Sequence, residues 1–343
     1  MKTGGMSGWN ADVQKNREND MDTIVVKNLK KEYKIARKEK GLAGAVRNLF
    51  VRKYEILRAV DDISFTIPKG EITAFIGPNG AGKSTTVKMM SGILVPTSGD
   101  ILINGKNPQK DRVGVVQDLG VVFGQRTQLN WDLRLGESFE MMRHIYKIPK
   151  AMYEENLKIM DDILGIGEII NIPVRQLSLG QRMRGDLVAA MLHSPSVLFL
   201  DEPTIGLDVE GKYAIRKFIK EINRVKGTTI ILTTHDLGDI EELCKRLIII
   251  NKGKIVEDGP LEELIDRIAP NRNLVVEYYD ENYVEHENAA IIHAEGNVVT
   301  YQFSKKDITG ARLICDISER AKIKDATIKE VKIDDIIRIA YRG

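Results

Sequence analysis

Gly77-Pro78-Asn79-Gly80-Ala81-Gly82-Lys83-Ser84-Thr85 decides the fold of this chain. The stretch fits G-x-x-x-x-G-K-[ST] in full. It follows an apolar, strand-like run from Ile72 to Ile76 and opens a helix-like run from Thr85 to Met90. Glycine lets a backbone wrap tightly, so successive N–H groups can point at phosphate oxygens. The following helix adds the positive end of its dipole at the same place. Lys83 can then reach the β- and γ-phosphates, and the Ser84 hydroxyl can ligate Mg²⁺. The bland alternative, a Gly-rich turn that carries a Lys and a Ser by accident, does not account for the strand–turn–helix setting.

Outward from this loop the chain alternates strand-like and helical runs. Val197 to Leu200 and Ile230 to Thr233 are short buried-strand runs, each preceded by a helical segment. Strands that alternate with helices imply a parallel sheet in an α/β domain. Thr23 to Val26 reads as a first strand. Ile63 to Ile67, followed by Pro68-Lys69-Gly70, reads as a hairpin leading into the strand before the loop. Val113 to Phe123 reads as a strand. Leu135 to Glu168 reads as helical, with Met141, Met142, Ile145, Leu157, Met160, Ile163 and Leu164 as core positions. Pro270-Asn271-Arg272-Asn273 reads as a linker. Beyond it, strand-like pieces (274–279, 298–303, 327–331) surround helical ones (310–320, 334–341).

The domain reading is therefore a polar, disordered tail at 1–20, an α/β nucleotide-binding domain at 21–260 with a helical part at about 126–180, and a small α+β domain at 271–343. Met21 directly precedes the first strand and is an alternative start to Met1 and Met6. Lys34 to Arg58 carries eight basic residues against two acidic ones. Leu42, Val46, Leu49 and Phe50 there share one helical face. That pattern fits a solvated helix docked by its apolar side, or contact with anionic lipid or a membrane partner.

Bulk numbers exclude several classes. With 51 Lys and Arg against 49 Asp and Glu, the net charge is +2, and no global field argues for nucleic acid. The two cysteines, Cys244 and Cys315, match no metal spacing and fit a reducing compartment. His144, His193, His286 and His293 are scattered and read as surface or packing residues. Apolar runs are too short to cross a bilayer, and the N-terminus lacks a signal-peptide core. A cytoplasmic location follows.

Two further constellations carry chemistry. Ser196 to Leu200 is a buried strand ending in Asp201-Glu202, and the tip of a parallel strand is where ligands sit in open α/β sheets. Asp201 is placed to hold the Mg²⁺ shell, and Glu202 to polarise an attacking water. Leu177-Ser178-Leu179-Gly180-Gln181 precedes a helical segment, where a hydroxyl and free N–H groups can meet an anion. Taken alone, this is an ordinary helix cap.

Together these residues resemble the ATP-binding subunits of ABC transporters. The order is the phosphate loop, a glutamine after a strand (Gln125), the 177–181 segment, Asp201-Glu202, Gly206-Leu207-Asp208 and Thr233-Thr234-His235-Asp236. The resemblance covers roughly 24–259. The wording around Gln125, Gln181 to Arg184 and Asp201 to Asp208, with the C-terminal extension, looks like the exporter branch, which includes ATPases related to drug-resistance and sodium-extrusion pumps.

The resemblance implies a P-loop fold of ABC type: a mainly parallel core sheet, an antiparallel β part and a helical subdomain. It implies ATP and Mg²⁺ as ligands, with Gln125 sensing metal and water and relaying that state to a permease. Glu202 is the implied catalytic base, and His235 the implied γ-phosphate contact that holds the base. Asp208 links the two sites of a dimer, and Ser178, Gly180 and Gln181 close on the γ-phosphate of the opposite copy. An aromatic stacks on adenine: Tyr33 by position, Tyr54 as the second choice. The implied partners are a second copy and integral membrane permease subunits, which place the chain on the inner face of the membrane and power export. An import ATPase is an alternative. An ABC ATPase acting on ribosomes or DNA is a further one, with little support from a single cassette without coiled-coil or zinc insertions. Trp131, shortly after Gln125, reads equally as core or as facing the permease.

The chain departs from the family pattern in three places. Leu179 stands where glycine is usual, Ile205 stands where serine is common, and the 34–58 insertion obscures the stacking aromatic.

Overall fold

The computed structural model describes residues 22–36, 54–124, 126–329 and 333–342. The 1–20 tail, Gln125 and most of the basic insertion (37–53) lie outside the described residues. The chain divides between Val256 and Glu257 into two compact units.

In the first unit a three-stranded antiparallel sheet has the order β2-β1-β4, formed by β1 (Asp22–Ala36), β2 (Tyr54–Pro68) and β4 (Ser98–Ile103). A six-stranded sheet has the order β5-β6-β7-β3-β8-β9. Its strands are β3 (Ile72–Ile76), β5 (Leu119–Phe123), β6 (Val197–Asp201), β7 (Thr229–Thr233), β8 (Arg246–Asn251) and β9 (Lys254–Pro260). The pairings from β5 through β6, β7 and β3 to β8 are parallel. Parallel strands are buried on both faces, which explains why β6 and β7 read as unbroken apolar runs. β9 follows β8 through Lys252 (φ 48°) and Gly253 (φ 79°). Two successive positive φ angles give the two-residue turn that matches strand twist.

The two sheets share one core. Ile24, Val26, Ile63 and Phe65 come from the antiparallel sheet, and Phe75, Phe199, Ile231 and Ile248 from the parallel one. Helix α1 (Lys83–Met90) contributes Val87, Met89 and Met90 to the same cluster. Burying each such side chain stabilises by roughly 1.5–3 kcal/mol. The helix that ends the phosphate loop is thus anchored by its apolar residues and does not depend on its own weak propensity.

Around the sheet run α2 (Arg112–Asp118), α3 (Leu135–Ile145), α4 (Lys150–Leu164), α5 (Leu179–Met191), α6 (Val209–Lys226) and α7 (Leu237–Leu243). In α6, Ile215, Phe218, Ile219 and Ile222 are buried at helical spacing. Asp208 caps its start, accepting from Gly211 N at 2.8 Å, and Gly227 (φ 64°) ends it.

The structure corrects several sequence expectations. Residues 113–118 are helix α2, not strand, because the Asp111 carboxylate accepts from Gly114 N at 2.9 Å and caps a helical turn. Val113 is consequently 73% exposed. Ile145 is exposed and is not core, whereas Met142, Met160 and Leu164 are buried. Trp131 is 50% exposed, with the Arg182 guanidinium 5.2 Å from its ring centroid, so it is a surface residue.

In the second unit, an antiparallel sheet has the order β11-β12-β10-β13. Its strands are β10 (Asn271–Tyr278), β11 (Ala289–Glu295), β12 (Val298–Ser304) and β13 (Ile323–Lys329), with helices α8 (Leu261–Ile268), α9 (Gly310–Ser318) and α10 (Ile333–Arg342). Leu274, Val276, Tyr278, Val299, Tyr301 and Phe303 alternate inward and meet Leu313 and Ile317 of α9. Asn271, Arg272 and Asn273 are not linker. They pair with Ser304, Phe303 and Gln302, and Arg272 is buried against Asp266.

Candidate nucleotide site

The parallel register builds the site. Asp201 pairs with Thr233 on one side and with Phe123 on the other. The C-terminal ends of β5, β6, β7 and β3 therefore lie along one edge of the sheet. That edge carries Gly124, Asp201-Glu202, Thr233-Thr234-His235 and the Gly77–Thr85 loop. It is the edge at which open α/β sheets bind ligands.

Close backbone approach, more than turn freedom, fixes Gly77. A Cβ there would stand 2.2 Å from the Ile250 carbonyl oxygen. Gly80 (φ 80°) and Gly82 (φ 112°) adopt the left-handed region. Lys83 Nζ donates to the carbonyls of Gly77 at 2.5 Å and Pro78 at 3.3 Å, which holds the ammonium over the loop. Burial pushes Lys83 below the usual lysine range, and the nearby Glu202 and Asp201 carboxylates oppose that shift.

Ser84 Oγ lies 3.4 Å from Asp201 Oδ1, and the same oxygen accepts from Thr233 Oγ1 at 2.5 Å. A hydroxyl beside a carboxylate is an oxygen donor set that suits Mg²⁺, which takes few protein ligands and completes its shell with phosphate and water. Among the described residues no group of three or more His, Cys, Asp and Glu forms a dedicated metal cage.

Glu202 has φ 59°, a left-handed conformation rare for a residue with a side chain. Its amide donates to Thr233 O at 2.9 Å, and its Oε2 lies 2.5 Å from His235 Nδ1. His235 is otherwise largely exposed. Gly124 N donates to Asp201 O at 2.7 Å, and a Cβ at Gly124 would stand 2.1 Å from the Glu202 carbonyl oxygen. Only glycine lets the end of β5 pass under Glu202.

Ser178 and Gln181 form a reciprocal cap on α5: Ser178 Oγ accepts from Gln181 N at 3.2 Å, and Gln181 Oε1 from Ser178 N at 2.9 Å. Ser178 is exposed, and its hydrogen bonds stay within this turn. Leu179 rests on the neighbouring loop, its Cδ2 3.1 Å from where a Cβ of Gly206 would stand. Asp208 spends its carboxylate on the α6 cap.

Tyr33 pairs with Leu57, and Tyr54 with Ala36. Directly paired residues share a face and neighbours in sequence alternate, so the two tyrosines lie on opposite faces of the hairpin. Lys31 Nζ sits 5.2 Å from the Tyr33 ring centroid. Gln125 lies outside the described residues.

Sequence reasoning gave no role to Thr233, Thr204, Arg216 and Asp239. Thr233 had a signal, since it closes the buried strand before His235. Asp239 had none, being one acid among several on a short helix.

The fold and this edge define a P-loop nucleotide-binding ATPase. The ABC transporter family profile matches residues 60–205. The chain is 35% identical over 198 residues to the uncharacterized ABC transporter ATP-binding protein YhcH of Bacillus subtilis, covering 58% of this chain and 64% of that protein. It is 31% identical over 217 residues to the ABC transporter ATP-binding protein NatA of the same organism, covering 63% of this chain and 88% of that one. A dimeric bacterial ABC transporter cassette superposes with a TM-score of 0.57 at 27% identity, covering 69% of this chain and 98% of the other. Methionine import ATP-binding proteins also match, one from Protochlamydia amoebophila at 34% over 214 residues, covering 61% of this chain and 62% of that protein. The chain belongs to the ATP-binding proteins of ABC transporters. Among the described residues no helix is long and apolar enough to cross a membrane.

Proposed function

We propose that this chain is the ATP-hydrolysing subunit of an export complex, in which two copies enclose two MgATP and act on separate membrane permease subunits at the cytoplasmic face. The observation that carries the reading is the convergence of Lys83, Ser84, Asp201, Glu202 and His235 on one sheet edge.

The loop N–H groups and Lys83 bind the β- and γ-phosphates. Ser84 and Asp201 would hold Mg²⁺, with Gln125 as a third ligand, and the ion bound there would supply neutralisation of phosphate charge. Glu202 accepts the proton of a water whose oxygen attacks the γ-phosphorus as the bond to the bridging oxygen breaks, giving ADP and phosphate. His235 holds the Glu202 carboxylate and reaches the γ-phosphate. Tyr33 stacks on adenine. Among the described residues Ser178 bonds only within its own turn, which supports Ser178, Gly180 and Gln181 acting on the nucleotide of the other copy, with Asp208 beside that interface.

Glu202→Gln should bind ATP and turn it over at less than about a hundredth of the normal rate. Normal turnover in that variant sinks the assignment. Import is the second reading, favoured by the methionine import relatives. Reconstituting the chain with its copurified membrane partner and measuring the direction of ATP-driven flux decides between them.

A further inference from the structure

We infer that Asp239, outside every motif read from the sequence, is the positioning residue that keeps Glu202 and His235 in register. The inference rests on the reading that those two residues do the chemistry. Asp239 is fully buried in the first turn of α7. Its Oδ2 accepts from Thr204 Oγ1 at 2.5 Å and from Thr234 Oγ1 at 3.0 Å. Its Oδ1 accepts from Arg216 Nε at 2.6 Å.

These partners are not scattered. Thr204 lies two residues beyond Glu202, and Thr234 immediately precedes His235. With Glu202 Oε2 at 2.5 Å from His235 Nδ1, the contacts close a ring through Glu202, Thr204, Asp239, Thr234 and His235. One carboxylate thereby joins the loop leaving β6 to the loop leaving β7.

The chemistry of the ring demands an anion at position 239. Both threonine hydroxyls are buried, so each needs an acceptor. A carboxylate can take two hydroxyls and a guanidinium at once; an amide has one acceptor oxygen and would turn its NH₂ toward a donor. Burying a charge requires a paired counter-charge. Arg216 supplies it, and Arg216 is itself held by Asp236 Oδ1 at 3.0 Å and Glu242 Oε2 at 3.4 Å. The phosphate loop with Lys83 lies outside the ring, so turnover falls further than nucleotide affinity.

The test is steady-state ATP hydrolysis and nucleotide binding by the purified full chain. Asp239→Asn should lower kcat about 10–100-fold, the scale on which sub-ångström misplacement acts, with KM and nucleotide affinity changed less than about twofold. The double variant Asp239→Asn with His235→Ala should be no slower than His235→Ala alone, because both act through one contact; a merely structural role gives multiplied losses. Should Asp239→Asn not fold, Thr204→Val and Thr234→Val each delete one hydroxyl at constant volume and should each lower kcat about tenfold at unchanged KM. Near-normal kcat in the folded variants, or multiplied losses in the double, overturns the inference. If Glu202→Gln still turns over normally, the underlying assignment fails instead, whatever Asp239 does.

Discussion

Thr233 Oγ1 donates to Asp201 Oδ1 at 2.5 Å across the parallel pair formed by the last residues of β7 and β6. Thr233 is fully buried, and its hydroxyl bonds the same Asp201 oxygen, Oδ1, that Ser84 reaches, which fixes how the carboxylate is turned toward a cation. Thr233→Val keeps the volume and the β-branch but removes the donor. The variant should fold normally, bind nucleotide without metal as before, and need roughly 3–10-fold more Mg²⁺ for half-maximal hydrolysis. A Mg²⁺ titration of ATPase rate checks this, and an unchanged midpoint refutes it.

Tyr33 and Tyr54 cannot both serve adenine, because they occupy opposite faces of one hairpin. Lys31 lies over one side of the Tyr33 ring. Stacking of a base on an aromatic is worth about 1–3 kcal/mol. Tyr33→Ala should therefore weaken ATP binding roughly 5–100-fold, while Tyr54→Ala leaves it within about twofold. Binding of a fluorescent ATP analogue measures both, and the reverse result moves the adenine to the Tyr54 face.

The parts of the site that one segment builds by itself were legible. Gly77 to Thr85 needs only its own strand, turn and helix, and Asp201-Glu202 needs only the end of an apolar run. What the sequence could not give is proximity created by crossovers. Asp239 reads as a helix acid until β6 and β7 bring Thr204 and Thr234 to it. Gly124 reads as a spacer until Glu202 crosses above it. Residues 113–118 misled because Val113, Val115 and Val116 favour strands, while the deciding term was the Asp111 cap. The run 270–273 misled because turn-prone residues start β10, where pairing with β12 outweighs propensity.

Asp186, on α5 and only 4% exposed, accepts from Thr127 Oγ1 at 2.8 Å and Gln128 N at 3.0 Å, which ties the loop after β5 to the helix that Ser178 caps. Burial pushes its carboxyl from 3.8 up to about 6, against the pull of those bonds and Arg182. The folded chain thus keeps a proton that the unfolded chain releases. This contribution is most favourable below about pH 4 and is lost as pH rises toward about 6, a cost near 3 kcal/mol for two units. Asp186→Asn removes the titration. Relative to wild type the variant should gain about 1–2 kcal/mol between pH 5 and pH 8. Urea unfolding followed by fluorescence of Trp131 on the adjacent loop measures it, and a pH-independent difference contradicts the argument.

In the second unit the buried hydroxyls of Tyr278 and Tyr301 lie 2.5 Å apart, and Tyr301 Oη donates to Val284 O at 2.8 Å. Tyr301 has one proton, so Tyr278 must be the donor of the shared bond. Burial and the neighbouring Tyr301 raise the Tyr278 phenol above its ordinary range, so it stays protonated. The order of donation makes the pair unequal. Tyr278→Phe loses one bond but leaves Tyr301 still donating to Val284, a cost of about 1 kcal/mol. Tyr301→Phe orphans both the Tyr278 proton and the Val284 carbonyl, which should cost about 2–4 kcal/mol. The two single variants remove the same atom from adjacent positions, so transfer terms cancel in the comparison. Denaturant unfolding of the full chain, with hydrogen exchange at Val276 and Tyr301 to localise the loss, should rank Tyr301→Phe well below Tyr278→Phe. Equal losses would mean that the Val284 carbonyl finds another donor, and that the donation order drawn from this geometry is wrong.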